Sequence, residues 1–159
     1  MNVESLLIYC VPVITGIAIY ISLSKKEPKL FDYCLLSLLG IQTISLLLLI
    51  YFFYTTNLNY KYISDYSSTD LSLFYKLSGL WAGRDGTLLI WTWSATLFMI
   101  LERKFNSNND KQKELTTVIC CFLILALSLI QLYINPFRTN EIVPVEGNGL
   151  NPLLLSPYM

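Results

Sequence analysis

Tyr75-Lys76-Leu77-Ser78-Gly79-Leu80-Trp81-Ala82-Gly83-Arg84-Asp85-Gly86-Thr87-Leu88-Leu89-Ile90-Trp91-Thr92-Trp93 is the stretch on which the reading of this chain turns. Tryptophans, glycines and an adjacent Arg84–Asp85 pair meet where an apolar run begins. The step Gly83-Arg84-Asp85-Gly86 gives the backbone freedom to turn and to expose N–H groups. Thr87 then opens a segment without charge until Glu102. This is the pattern of a loop-to-helix junction, carrying polar groups, at the edge of a hydrophobic layer.

Composition identifies the layer. Of 159 residues, 54% are hydrophobic and 14% charged, against about a quarter charged in an ordinary soluble domain. With a mean hydropathy of +0.52, this is the composition of a membrane protein. Net charge is zero and the basic residues are scattered, which argues against a nucleic-acid groove. The chain has no histidine, so it supplies no imidazole as metal ligand, haem ligand or general base. Cys10, Cys34, Cys120 and Cys121 form no Cys-x-x-Cys pair and lie in apolar runs. They read as small buried hydrophobes rather than as a redox or metal site. No catalytic residue and no metal ligand set is assigned.

The uncharged run 5–23 is long enough, at ~1.5 Å per residue, to cross about 28 Å of hydrocarbon. Glu4 precedes it and lysines follow it, the reverse of a cleaved signal peptide. Residues 24–30 form a basic turn closed by Pro28, and Asp32 stands where an N-terminal cap would be. A second span, 33–54, ends in the aromatic belt Tyr51-Phe52-Phe53-Tyr54. Residues 55–85 read as a long polar loop, with a short interfacial helix over 75–80. A third span covers 86–101, brief for a full crossing, with Leu88, Trp91, Ala95 and Phe98 on one face. After a hydrophilic turn at 102–114, a fourth span runs over 115–134 and stops at Asn135-Pro136. The tail 135–159 is proline-punctuated. The fold class is therefore all-α: a polytopic membrane bundle of about four transmembrane helices, an outer loop and an outer tail. The lysine-rich turns 24–30 and 102–114 share one side, cytoplasmic by the positive-inside rule. The N-terminus, 55–85 and 135–159 share the other.

The residues of the junction alone fit two readings. One is a binding edge: helix N-terminal N–H groups favour an anion, Arg84 can grip a carboxylate in bidentate fashion, and Trp81, Trp91 and Trp93 can stack on a flat apolar ligand. The other is interfacial anchoring by tryptophan with a local Arg84–Asp85 pair. Inside the spans Gln42, Thr43 and Gln131 read as interhelical hydrogen-bond partners. The spans carry no ionisable side chain at mid-depth, which disfavours a small transporter.

Three motifs in order resemble one family. Tyr75-Lys76 with 80–91 looks like its tryptophan–glycine–acid–glycine signature, Asn135-Pro136-Phe137 like its step after the fourth helix, and Pro144-Val145-Glu146-Gly147 through Leu150-Asn151-Pro152-Leu153-Leu154 like its proline–leucine segment. The family is the CcmF type of cytochrome c maturation protein, with the related NrfE type. Thr87 replaces the usual serine, and Arg84 fills the variable slot. The resemblance implies the N-terminal portion of part of a haem lyase. It implies haem as the group handled, held by the complex and not by an axial ligand of this chain. The implied partners are the C-terminal portion of a CcmF-type protein, a CcmE-type haem chaperone, a CcmH-type subunit and apocytochrome c. The implied location is the plasma (inner) membrane, or the mitochondrial inner membrane in an organelle. Trp81, Gly83, Arg84, Asp85, Gly86 and Trp91 are the candidate contacts for haem or a partner. A purely structural membrane subunit is the alternative.

Overall fold

A computed structural model describes residues 2–24, 28–105 and 110–150, with the backbone alone over 110–113. Its helices are α1 (Val3–Ser24), α2 (Pro28–Tyr54), α3 (Lys61–Tyr66), α4 (Leu73–Ala82), α5 (Arg84–Phe105) and α6 (Asp110–Tyr133). There is no strand among the described residues, only an isolated antiparallel bridge from Tyr60 to Thr139. The four long helices close a ring in which α1 packs on α2 and α6, and α5 packs on the same two.

Burial at alternating three- and four-residue steps shapes that ring. In α1 it falls on Ile8, Val11, Thr15, Ala18 and Ile21, and in α2 on Phe31, Leu35, Leu38, Gln42, Ser45, Leu49 and Phe52. The opposite faces are also apolar: Val13, Ile17, Leu36, Ile44 and Leu47 are all exposed. Apolar surface on both sides of a helix suits a hydrocarbon surround and not water.

Three helices, α1, α2 and Glu114–Tyr133 of α6, are long and apolar enough to cross a membrane. The fourth expected span, 86–101, is part of α5. That helix matches α1 in length at 22 residues, so it is not too short. Its threonines and tryptophans, with charges at both ends, keep it below the other three in apolarity. Its outward face carries Trp91 and Phe98, while Leu89, Thr92, Thr96 and Met99 point inward.

Several boundaries move. Pro28 opens α2 instead of closing the turn, because the first helical position needs no N–H. Asp32 lies inside α2 and binds Arg103 of α5 at 2.9 Å, so it is no cap. The segment 55–85 is not a loop: it folds into α3 and α4, held by Tyr62, Ile63 and Leu80 in the core. Residues 25–27, 106–109 and 151–159, including Asn151-Pro152-Leu153-Leu154, lie outside the described residues.

One end of the ring, the rim, gathers the start of α1, α3, α4 and the chain after α6. Phe137 is fully buried there, edge-on to Phe52 and Tyr60, which stack on each other at 4.4 Å. Asn2 and Ser5 share a groove with Phe137 and Arg138. The described parts of 55–85, of the tail and of the N-terminus thus gather at one end of the ring. At the other end a separate cluster joins Phe31, Leu35, Met99 and Cys121.

Of the expected interhelical partners, Thr43 is one: its hydroxyl accepts the Trp93 indole N–H at 2.9 Å. Gln42 and Gln131 are fully buried, and neither amide has a hydrogen-bond partner among the described residues. Leaving a buried polar group unpaired costs about 1–3 kcal/mol. Gln42→Leu, similar in volume, is expected to raise the melting temperature in detergent; an unchanged or lower value would show that the amide is satisfied.

Candidate functional site: a charged cleft at the rim

Tyr62 of α3 builds the site. Its ring is buried between Phe53, edge-on at 5.5 Å, and Tyr66, at 5.1 Å. Its hydroxyl donates toward the carbonyls of Gly79 (2.9 Å) and Leu80 (3.1 Å) and accepts the N–H of Gly83 at 3.2 Å. These groups end α4 and begin α5, where helical backbone otherwise lacks partners. Thr87 reinforces the junction, its hydroxyl donating to the Gly83 carbonyl at 2.8 Å.

The glycines serve this contact. A Cβ on Gly79 would meet the Phe53 ring at 2.5 Å, and one on Gly83 would meet the rings of Tyr62 and Tyr66 at 2.6 Å. A Cβ on Gly86 would strike the Leu80 carbonyl and come within 2.8 Å of the Tyr62 hydroxyl. Gly83 has φ −119°, a conformation open to any residue, so space and not backbone freedom selects glycine. Of the N–H groups expected to be displayed, that of Gly83 is taken by the Tyr62 hydroxyl.

The chain after α6 completes the rim. Asn135 Oδ1 accepts the Phe137 N–H at 2.9 Å and makes a turn that buries Phe137 and leaves Arg138 exposed. The Arg138 carbonyl then accepts the Lys61 N–H at 2.8 Å. Farther on, Asn140 donates to the Leu58 carbonyl and the Ser64 hydroxyl, and the Asn148 N–H donates to the Ser64 carbonyl. Glu146 accepts the Thr69 N–H at 2.7 Å and the Gly147 N–H at 3.0 Å. These bonds, the Thr69 hydroxyl first among them, hold its carboxyl below the usual range.

Between α3, the start of α5 and the end of α6 lies a cleft of about 330 Å³. Lys61, Arg84 and Arg138 bring three cations to it, Asp65 and Asp85 two carboxylates, and Tyr62, Tyr66 and Tyr133 line it as well. Burial raises the Asp85 carboxyl above the usual carboxylate range, against the opposing pull of Arg84. Burial likewise raises the Tyr62 phenol, so it stays a neutral donor.

Of the six expected site residues, Arg84 and Asp85 line the cleft. Gly83 and Gly86 pack behind it. Trp81 and Trp91, both 59% exposed, lie on the outer surface and are not part of the lining. Trp93 donates its indole N–H to Thr43 and does not line the cleft. Lys61, Tyr62, Asp65, Tyr66, Tyr133 and Arg138 were not singled out by sequence. Their one visible signal is the position of Arg138 directly after the Asn-Pro-Phe step.

A helical membrane bundle with a charged cleft at one rim is the class of protein these features define. No family model matches the chain, and no solved structure matches it. Curated relatives do. It is 31% identical to the cytochrome c-type biogenesis protein NrfE of Haemophilus influenzae over 116 residues, covering 70% of this chain and 18% of that protein. It is 30% identical to the cytochrome c-type biogenesis protein CcmF of the same organism, over 67% of this chain and 17% of that one. A third, the cytochrome c-type biogenesis protein ccl1 of Rhodobacter capsulatus, is 27% identical over 74% of this chain and 18% of its own length. The chain is a relative of the CcmF/NrfE-type cytochrome c biogenesis proteins, and it spans under a fifth of the length of these three.

Two outcomes test the geometry. Gly86→Ala is expected to cost about 1–3 kcal/mol by overpacking. Gly40→Ala, where nothing lies within 4 Å, is expected to be neutral or to gain up to about 1 kcal/mol from helix propensity; thermal melting in detergent compares them. For Asp85 the raised pKa means that the folded state holds its proton more tightly than the unfolded chain. Its contribution favours folding at low pH and is lost as pH rises from about 4 through the raised value. Asp85→Asn is therefore expected to raise the melting temperature at pH 7 and to change it little at pH 4; equal shifts at both would remove the burial argument.

Proposed function

We propose that this chain acts in cytochrome c maturation, as part of the membrane assembly that delivers haem and attaches it covalently to apocytochrome c. Similarity to proteins named for cytochrome c-type biogenesis supports the process. The observation that supports a role for the rim is the convergence of two motifs, distant in sequence, on one cleft: Arg84 and Asp85 from the first, and Asn135 of the second with Arg138 directly after it.

In this reading the rim faces the outer side. The opposite end carries Lys29, Arg103, Lys104, Lys111 and Lys113 at its helix ends, as a cytoplasmic face does. The membrane is the plasma or inner membrane, or the mitochondrial inner membrane in an organelle. Haem is cargo. The cleft is polar and the chain has no histidine, so its residues fit an acidic edge and not the iron. Lys61, Arg84 and Arg138 would grip carboxylates of haem or of a partner by charge-assisted hydrogen bonds. The partners are the remainder of a CcmF-type protein, a CcmE-type haem chaperone, a CcmH-type subunit and apocytochrome c.

One observation favours a structural role for part of the first motif. Gly79, Gly83 and Gly86 are fixed by contact with tyrosine and phenylalanine rings, so these three serve packing, and recognition falls to Arg84 and Asp85.

Arg84→Ala combined with Arg138→Ala is expected to lower holocytochrome yield at least tenfold, measured by haem staining of covalent cytochrome. Membrane insertion and helix content should stay unchanged. Full yield from a normally inserted double variant would withdraw the role of the cleft.

A further inference from the structure

The end of the bundle away from the rim carries a second, unrelated feature. A groove of about 310 Å³ between α2 and α5 is lined by Asp32, Leu35, Leu36, Ile100, Arg103 and Lys104. Its walls are aliphatic, with Leu36 56% exposed, and its mouth is cationic.

The charges at that mouth are not equivalent. Arg103 is held on three sides. Its Nη2 and Nε lie 2.9 and 3.2 Å from one oxygen of Asp32, its guanidinium sits 4.6 Å over the Phe31 ring, and its Nη1 is 3.5 Å from the Thr117 hydroxyl. Asp32 is thus engaged by Arg103. The neighbouring acid, Glu102, does not line the groove. Lys104 is exposed, its ammonium 5.7 Å from the Phe105 ring. Lys29, on the first turn of α2, is exposed at the same end.

We propose that this groove binds one anionic phospholipid. Its phosphate meets Lys104 beside the guanidinium of Arg103, and an acyl chain lies along Leu36 and Ile100. The occupant follows from charge and place. Among the described residues the lining holds two cations to one acid, the rest of it is aliphatic, and α2 is long and apolar enough to span the membrane. Basic pockets between membrane helices on the lysine-rich side recognise acidic headgroups. A soluble anion would leave the aliphatic walls uncovered, and a zwitterionic lipid would add its own cation to the mouth.

Native mass spectrometry of the detergent-purified chain tests this, with phosphatidylglycerol and phosphatidylcholine of matched acyl chains added in equal amounts. Phosphatidylglycerol is expected to be retained preferentially. Lys104→Gln should reduce the preference about fivefold, the effect of one basic residue near an acidic headgroup. Leu36→Trp, which fills the groove, should abolish retention of both lipids without loss of helix by circular dichroism. Equal retention of the two lipids would overturn the proposal. So would a preference unchanged in both folded variants, or displacement of the lipid by millimolar inorganic phosphate, which would assign the mouth to a free anion.

Discussion

A single phenol hydroxyl closes the rim. Tyr62 reaches from α3 to the carbonyls that end α4 and to the N–H at Gly83, just before α5. Without it those backbone groups would sit unpaired in a buried place, at about 1–3 kcal/mol each. The contact sets the sizes around it, since only glycine fits at 79, 83 and 86 against Phe53, Tyr62 and Tyr66. It also sets where the charges fall: α5 must begin at residue 84, so Arg84 and Asp85 leave its first turn into the cleft.

The two ends of the bundle are held by different physics. At the rim, aromatic rings pack against one another and backbone segments cross-bond, as in a soluble domain. Along the ring, helix association in lipid gains little from the hydrophobic effect, because the surround is as apolar as the interface. Buried Thr15, Ser45, Thr92 and Thr96 turn their hydroxyls back to their own helix carbonyls, which satisfies them without tying helices together. Side-chain ties among the described residues include Trp93 to Thr43 and, nearer the lysine-rich end, Arg103 to Asp32, both between α5 and α2, and Arg103 to Thr117 between α5 and α6.

Much of the membrane architecture was legible in the sequence because uncharged runs of the right length are a direct physical signal. The four long helices are where those runs are, with ends displaced by up to five residues where Pro28, Asp32 and Asp110 act differently from a simple reading. The rim was not legible in the same way. The segment 55–85 looks polar, and α3 is only six residues long, too short for a periodicity. Its order comes from Tyr60, Tyr62 and Ile63 meeting Phe52, Phe53 and Phe137, contacts that join positions far apart in the chain. For the same reason Arg84 and Asp85 could be named as candidates while Lys61, Asp65 and Arg138 could not. The glycines were noticed for the right spacing, and the contacts add a cause that the spacing did not show: they make room for tyrosine and phenylalanine rings.

The most direct test replaces Arg84 and Arg138 by cysteine in a chain whose native cysteines are serine, and treats membranes with a short bifunctional thiol reagent. The pair is expected to cross-link in high yield, and to lose the cross-link when Tyr62→Leu is added while the helices stay inserted. Failure to cross-link in the Tyr62 background, or labelling of the two cysteines from opposite faces of the membrane, would contradict a rim assembled around Tyr62.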